Sequence, residues 1–153
     1  MTLQEILNNK GTAVYHIGPD ETLAEVVRRL FQHGVGSLLV CEGGACRSRL
    51  LGIITERDIL RALALDDCSL DELQVRDYMT REEKIVTGHP SDEVGQVMGL
   101  MTERRIRHLP VVADEALVGI VSIGDVVKIQ YDQMALENHY LKSYLNGGIS
   151  AEA

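Results

Sequence analysis

Leu51-Gly52-Ile53-Ile54-Thr55-Glu56-Arg57-Asp58 and Val118-Gly119-Ile120-Val121-Ser122-Ile123-Gly124-Asp125 are two versions of one pattern, 67 residues apart. In each, an apolar run rich in branched residues ends on a hydroxyl, and an aspartate stands three residues further on. Working outward, Val35-Gly36-Ser37-Leu38-Leu39-Val40 answers Ile106-Arg107-His108-Leu109-Pro110-Val111, an offset of 71. At the same offset Pro19-Asp20-Glu21-Thr22-Leu23, followed by Val26, Val27 and Leu30, answers Pro90-Ser91-Asp92-Glu93-Val94, followed by Val97, Met98 and Met101. Further upstream, Leu3-Gln4-Glu5-Ile6-Leu7 resembles Val75-Arg76-Asp77-Tyr78-Met79 at an offset of 72. The change in offset puts extra residues in the first copy's Glu42-to-Arg49 turn, where Gly43-Gly44 marks a hairpin loop that tolerates insertion. The chain is an internal repeat, and every later residue is read in that light.

Each copy reads as a short strand, an amphipathic helix, two strands joined by a hairpin, and a second helix. Leu23, Val26, Val27 and Leu30 have helical spacing, and Thr22 with Glu25 forms a capping-box signal at the start of that helix. Ser37 to Cys41 and Leu50 to Thr55 are short and apolar, bounded by turn residues, as buried strands are. A βαββα unit cannot cover both faces of its own sheet. Two copies are therefore expected to pack with pseudo-twofold symmetry in an α/β (α+β) fold, leaving clefts between them. The expected organisation is a first repeat over 1–66, an acidic linker or linker helix over 67–72, a second repeat over 73–130, and a C-terminal helix and tail over 131–153. Gly124 to Leu145 reads as one long helix with Val126, Val127, Gln130, Met134, Leu141 and Leu145 near one face, stopping at Gly147-Gly148. Tyr131, Tyr140 and Tyr144 on that helix suit a partner surface.

The composition narrows the function. At 153 residues and 45% hydrophobic content, the chain can bury one compact core. No apolar run approaches the roughly 18 to 20 residues of a membrane span. Met1 to Glu5 lack the features of a signal peptide, so a cytoplasmic location is expected. A formal net charge of −8 repels a nucleic-acid backbone, so any anionic ligand needs a local basic pocket. Cys41, Cys46 and Cys68 make an odd count, which fits reduced thiols, and their spacing is a poor zinc signature. No metal site is expected. The five histidines have no spacing that builds a catalytic triad, and no dinucleotide or triphosphatase glycine loop is present. The chain reads as a binding protein, with no catalytic cofactor.

The binding residues follow from the repeated ending. Thr55 with Asp58, and Ser122 with Asp125, suit helix N-caps. The same geometry suits a ligand: a helix N-terminus beside strand ends accepts an anion, the hydroxyl donates to phosphate, and a carboxylate accepts from paired ribose hydroxyls. Arg104-Arg105-Ile106-Arg107-His108 is the densest positive cluster. Arg104 and Arg105 read as a solvated helix end, and Arg107 and His108 as phosphate ligands at the start of a strand. The first copy has Gly36 and Ser37 at the matching places, so its basic contribution falls to Arg57, and the two clefts are expected to differ.

These motifs carry a resemblance. The duplicated unit, the Gly-h-h-[Ser/Thr]-x-x-Asp ending of each copy (h apolar), the Arg107-His108-Leu109-Pro110-Val111 strand and the Val75-x-Asp77-x-Met79-Thr80 lead-in resemble a tandem pair of cystathionine-β-synthase (CBS) domains, a Bateman module. The chain is similar to the stand-alone bacterial CBS-pair proteins assigned to signal transduction. The resemblance implies binding of AMP, ADP, ATP, NAD or S-adenosylmethionine without chemistry, and a homodimer in which two pairs meet through their helices and signal to a regulated protein. Carried onto this sequence, one cleft has Asp125 on ribose, Ser122, Arg107 and His108 on phosphate, Lys10, Val14, Tyr15, Val35 and Gly36 around the base, and Ile120 beneath it. The other has Asp58 on ribose, Thr55 and Arg57 on phosphate, and Arg81, Ile85, Val86 and Ile106 near the base. The first of these is expected to be the better site. Two rivals stand beside this reading: an interaction module with vestigial clefts, and an enzyme acting on the bound nucleotide.

Overall fold

The stripe Leu23, Val26 and Leu30 and its counterpart Val94, Val97 and Met101 become the buried faces of two matching helices. The computed structural model describes residues 1–44 and 49–152. In chain order the elements are α1 (Leu3–Lys10), β1 (His16–Ile17), α2 (Leu23–His33), β2 (Ser37–Cys41), β3 (Leu50–Thr55), α3 (Glu56–Leu65), α4 (Val75–Tyr78), β4 (Thr80–Arg81), α5 (Val94–Arg104), β5 (His108–Ala113), β6 (Ala116–Ser122) and α6 (Ile123–Glu152). Short 3-10 turns lie at Glu42–Gly44 and Glu82–Lys84. Cys46 lies outside the described residues.

The two hairpins share one register. Ser37 faces Thr55 and Val40 faces Gly52 in the first copy, as His108 faces Ser122 and Val111 faces Gly119 in the second. Each carries an irregularity at the same repeat position, between Val40 and Cys41 and between Val111 and Val112. The first strand of each unit differs. In the first copy β1 pairs parallel with β2, and the Leu39 amide donates to the Tyr15 carbonyl at 3.0 Å. The residue matching Leu39 is Pro110, which has no N–H to donate. The expected strand of the second copy therefore shrinks to one parallel bridge, Gly88 to Val111.

The lead-in segments cross over. The Leu3 amide donates to the Asp92 carbonyl at 3.0 Å, and the Val75 amide to the Glu21 carbonyl at 2.9 Å. Leu3, Ile6 and Leu7 of α1 are buried among Val94, Val97, Met101, Leu109 and Val121 of the second copy. Val75 of α4 sits in the first copy's core with Leu23, Val26, Leu38 and Ile54. β4 then adds to the first sheet, giving the order β1-β2-β3-β4. A third cluster joins the units: Leu39, Cys41 and Ile53 are buried, with Val14, Leu50, Ile85, Leu117 and Ile120 packed on them. Alternation along the strands makes this possible, since neighbouring residues face opposite sides of a sheet.

Three local expectations change. Thr22 Oγ1 does accept from the Glu25 amide at 3.2 Å, but the Glu25 carboxylate turns to Arg28 and Arg29 instead of back to Thr22. Residues 66–72 form turns, with Leu70 packed on the first core, so no linker helix forms. Gly147-Gly148 do not stop α6, which runs to Glu152. A glycine costs a helix only about 1 kcal/mol relative to alanine, too little to end it without a competing left-handed cap.

The β3–β4 contact is close enough to test. A Cβ on Gly52 would stand 2.4 Å from the Thr80 carbonyl oxygen, whereas one on Gly99 in α5 meets nothing within 4 Å. Gly52→Ala is expected to lower unfolding stability by about 1–3 kcal/mol through forced backbone shifts. Gly99→Ala is expected to raise it by roughly 0.5–1 kcal/mol. Urea unfolding of the two variants checks the pair.

Candidate functional site

At the end of β3 and again at the end of β6, the chain turns straight into a helix through a hydroxyl and an aspartate. The Asp58 carboxylate accepts from the Thr55 amide at 2.9 Å and from its hydroxyl at 3.3 Å. The Asp125 carboxylate accepts from the Ser122 amide at 2.8 Å, and Ser122 Oγ accepts from the Asp125 amide at 3.1 Å. The capping role is therefore real at both places. Beside each turn, the pseudo-twofold packing opens a cleft whose other wall comes from the opposite copy.

The first cleft, about 450 Å³, takes Ile53, Thr55, Glu56, Arg57 and Leu60 from the first copy. Across it stand Thr80, Lys84, Ile85, Val86, Arg105, Ile106, Arg107 and His108. The second, about 460 Å³, takes Ile120, Ser122 and Asp125 from the second copy, and Lys10, Ala13, Val14, Tyr15, Gly34, Val35 and Ser37 from the first. Gly36 and His108 line both. A Cβ on Gly36 would lie 3.2 Å from the His108 ring and 3.0 Å from Glu56 Oε1, so the missing side chain lets the imidazole reach the partition between the clefts.

The structure brings together Lys10, Val14, Tyr15, Val35, Gly36, His108, Ile120, Ser122 and Asp125, as the sequence grouped them. Arg107 is not with them; it lines the first cleft. It sits at the bend just before β5 opens at His108, which borders both clefts. In the first cleft Thr55, Arg57, Ile85, Val86 and Ile106 come together as grouped. Asp58 lies beneath the lining with its side chain 9% exposed and Arg61 at 3.4 Å, and Arg81 sits exposed on β4 outside the lining.

Sequence reasoning missed Lys84 and Arg105. Arg105 is the left-handed C-cap of α5 at φ 54°, the place Gly34 holds at φ 63° after α2. A non-glycine residue there costs free energy, and it carries a guanidinium to the cleft rim. The repeat alignment held the signal. Lys84, Arg105 and Arg107 stand where the other copy has Ala13, Gly34 and Gly36, and Arg57 stands where it has Gly124. Each basic residue of the first cleft is answered by alanine or glycine. The cation that lines the second, Lys10, is already engaged: its Nζ donates to Asp125 Oδ2 at 2.7 Å and to the Ile120 carbonyl at 2.9 Å.

The two aspartates differ in acidity. Burial pushes Asp58 above its ordinary range, and the Thr55 amide and Arg61 only partly offset it. Burial works the same way on Asp125, but the Lys10 ammonium and the Ser122 amide outweigh it and hold that carboxyl below the ordinary range. Burial pushes His108 below its ordinary value; Glu56 opposes this, and Arg107 and Lys10 add to it, so the neutral ring is favoured.

The signs give a paired prediction. A depressed Asp125 contributes stability that is present above the unfolded-state value and lost as pH falls through the folded value. A raised Asp58 carries a penalty that is complete above its folded value and vanishes below the unfolded one. Asp125→Asn should lower unfolding stability at pH 7, by no more than about 1 kcal/mol for a partly exposed pair. Asp58→Asn, which keeps an acceptor for the Thr55 amide, should raise it. Thermal unfolding between pH 3 and pH 7 checks both directions.

Known proteins share this architecture. The family model described as CBS domain matches residues 10–65 and again 75–132. A mitochondrial CBS domain-containing protein of Arabidopsis thaliana, CBSX3, is 38% identical over 151 residues, 96% of this chain and 73% of that protein. The crystal structure of a CBS-domain protein from Agrobacterium tumefaciens superposes with a TM-score of 0.78 at 34% identity, covering 85% of this chain and 99% of that one. A CBS-domain protein of Pyrobaculum aerophilum complexed with AMP gives 0.68 at 26% identity, covering 82% and 89%. A CBS pair in complex with 5′-methylthioadenosine and S-adenosyl-L-methionine gives 0.68 at 25%, covering 87% and 98%. With two matched repeats and a pair-sized structural counterpart, this chain belongs to the CBS-domain family, as a tandem CBS pair.

Proposed function

We propose that the chain is a regulatory module that senses an adenosine nucleotide, AMP, ADP, ATP or NAD, without turning it over, and that the first cleft is the phosphate-binding site. The observation that carries this reading is the set of four basic residues, Arg57, Lys84, Arg105 and Arg107, around one cleft of an acidic chain. Ile53, Ile85, Val86 and Ile106 offer the adenine an apolar slot in the same cleft. Asp58 suits the ribose: hydroxyl donors would relieve the burial penalty on its charged form. AMP in one structural relative, and methylthioadenosine and S-adenosylmethionine in another, support an adenosine ligand. The sequence alone favoured the other cleft. The placement of Arg107 supports the first cleft as the phosphate site, and the second cleft, with Lys10 tied to Asp125, suits an adenosine ligand of low negative charge.

A ligand in the first cleft touches both copies, and His108 and Gly36 border the second cleft as well. Binding can shift the arrangement of the copies to the extent that it favours one of them, and a regulated protein would read that shift. Pairing of two copies through their helices is part of this reading: Val27 and Phe31 on α2 and Leu60 and Leu63 on α3 are exposed. The exposed thiol of Cys68 suits a reducing compartment such as the cytoplasm. Among the described residues no helix is long and apolar enough to cross a membrane.

The test is thermal unfolding with AMP, ADP, ATP, NAD and S-adenosylmethionine in turn. Ligand at a hundred times its dissociation constant should add roughly 2.7 kcal/mol. Arg105→Ala or Arg107→Ala should weaken a phosphorylated ligand by about 1.5–3 kcal/mol each, the worth of a charge-assisted hydrogen bond, while Lys10→Met leaves it bound. Phosphate-ligand shifts that survive both arginine variants, or vanish in Lys10→Met, place the site elsewhere. Silence from all five ligands favours the interaction-module reading.

A further inference from the structure

α6 is 30 residues long, roughly 45 Å, and among the described side chains those buried on the fold lie in its first half. Val126 is fully buried, but from Met134 to Asn146 every residue is exposed. A polar helix could stand free in water; this one carries a seam. Val127, Tyr131, Met134, Asn138, Leu141 and Leu145 follow one another at spacings of four, three, four, three and four, the alternating d and a positions of a heptad. All six side chains are exposed, including Tyr131 at 70% and Leu145 at 59%.

Two features name the partner. Asn138 is the one polar residue in the seam and occupies an a position, where asparagine fixes register and favours two strands. In a parallel pair it meets its own copy and the two amides can hydrogen-bond. In an antiparallel pair it would face apolar d residues and stay unsatisfied. The charges agree: Glu137 falls at g and Lys142 at the following e, the places that face each other across a parallel dimer. The helix is thus complementary to itself.

We propose that α6 pairs with α6 of a second copy of this chain as a parallel, in-register two-stranded coiled coil. The proposal deepens the pairing of copies suggested above and does not depend on which nucleotide the clefts hold. Two and a half heptads are short for a free-standing coil. The seam is anchored at its start because Val127 directly follows the buried Val126, so the folded units carry the helices in.

The full-length chain tests this in a background with Cys46→Ser and Cys68→Ser. Single cysteines are placed by Tyr131→Cys or Leu141→Cys, and mild oxidation should give a disulfide-linked dimer from each variant alone. In an antiparallel pair with the seams in full overlap, position 131 meets 141 of the second copy and neither cysteine meets its own counterpart; the absence of links from both single variants overturns the proposal. Sedimentation equilibrium supplies the second readout. Glu137→Lys should weaken the dimer roughly tenfold, through two symmetric pairs turned repulsive, and adding Lys142→Glu should restore it to within about twofold. A monomer at tens of micromolar, or a dimer indifferent to both changes, refutes the coil. Thermal shifts with nucleotide in the same variants keep the outcomes apart, since a failed coil with intact shifts leaves the sensor reading standing, and the reverse holds as well.

Discussion

Leu39 and Ile53 leave the first copy's sheet on the face that its own helices do not cover, and Leu117 and Ile120 do the same from the second. Those two faces meet, and most of the molecule follows from that contact. Burying an aliphatic side chain is worth about 1.5–3 kcal/mol, so neither unit has reason to stand alone with its inner face wet. The crossed lead-ins reinforce the arrangement. α1 completes the core of the second copy and α4 that of the first, so the units are tied by backbone hydrogen bonds as well as by apolar packing.

Two clefts are a by-product of this packing, one beside each strand-to-helix turn. Pseudo-symmetry makes them similar in size, yet side chains at four repeat positions make them unlike in charge. One is ringed by Arg57, Lys84, Arg105 and Arg107; the other has alanine and glycine there, and its Lys10 is spent on Asp125. In a chain of net charge −8 the basic cluster acts only at short range, since charges beyond about 8–10 Å are screened at physiological salt. On the proposed reading an anion would therefore be selected inside the cleft. In the proposed reading the carboxylate that caps each helix start, accepting from the Thr55 or Ser122 amide, would also be the ribose acceptor, which would link helix stability to occupancy.

Much of this was written in local pattern. Helical spacing, the hydroxyl-to-aspartate turns and the matched offsets identify the repeat, the elements and the cleft-forming segments, because side-chain period and capping depend on near neighbours in the chain. Where local pattern failed, a non-local fact intervened. Pro110 reads as an ordinary strand residue until a parallel neighbour asks for its N–H. Gly147 and Gly148 read as a stop until nothing competes with the helix. Asp58 reads as a cleft ligand, but its side chain is buried and does not line the cleft.

The sequence by itself determined that the protein is a duplicated βαββα unit with a long amphipathic C-terminal helix, since periodicity and repeat spacing are one-dimensional quantities. Only the tertiary structure decided which cleft holds the basic residues. Arg107 and His108 are adjacent in the chain, yet His108 borders both clefts and Arg107 lines the first. Lys84 and Arg105 reach the first copy's turn only because the two sheets pack back to back and bring segments some 30 to 50 residues distant within reach of Thr55. Charge in a cleft is a sum over neighbours in space, and those neighbours exist only once the two copies have met.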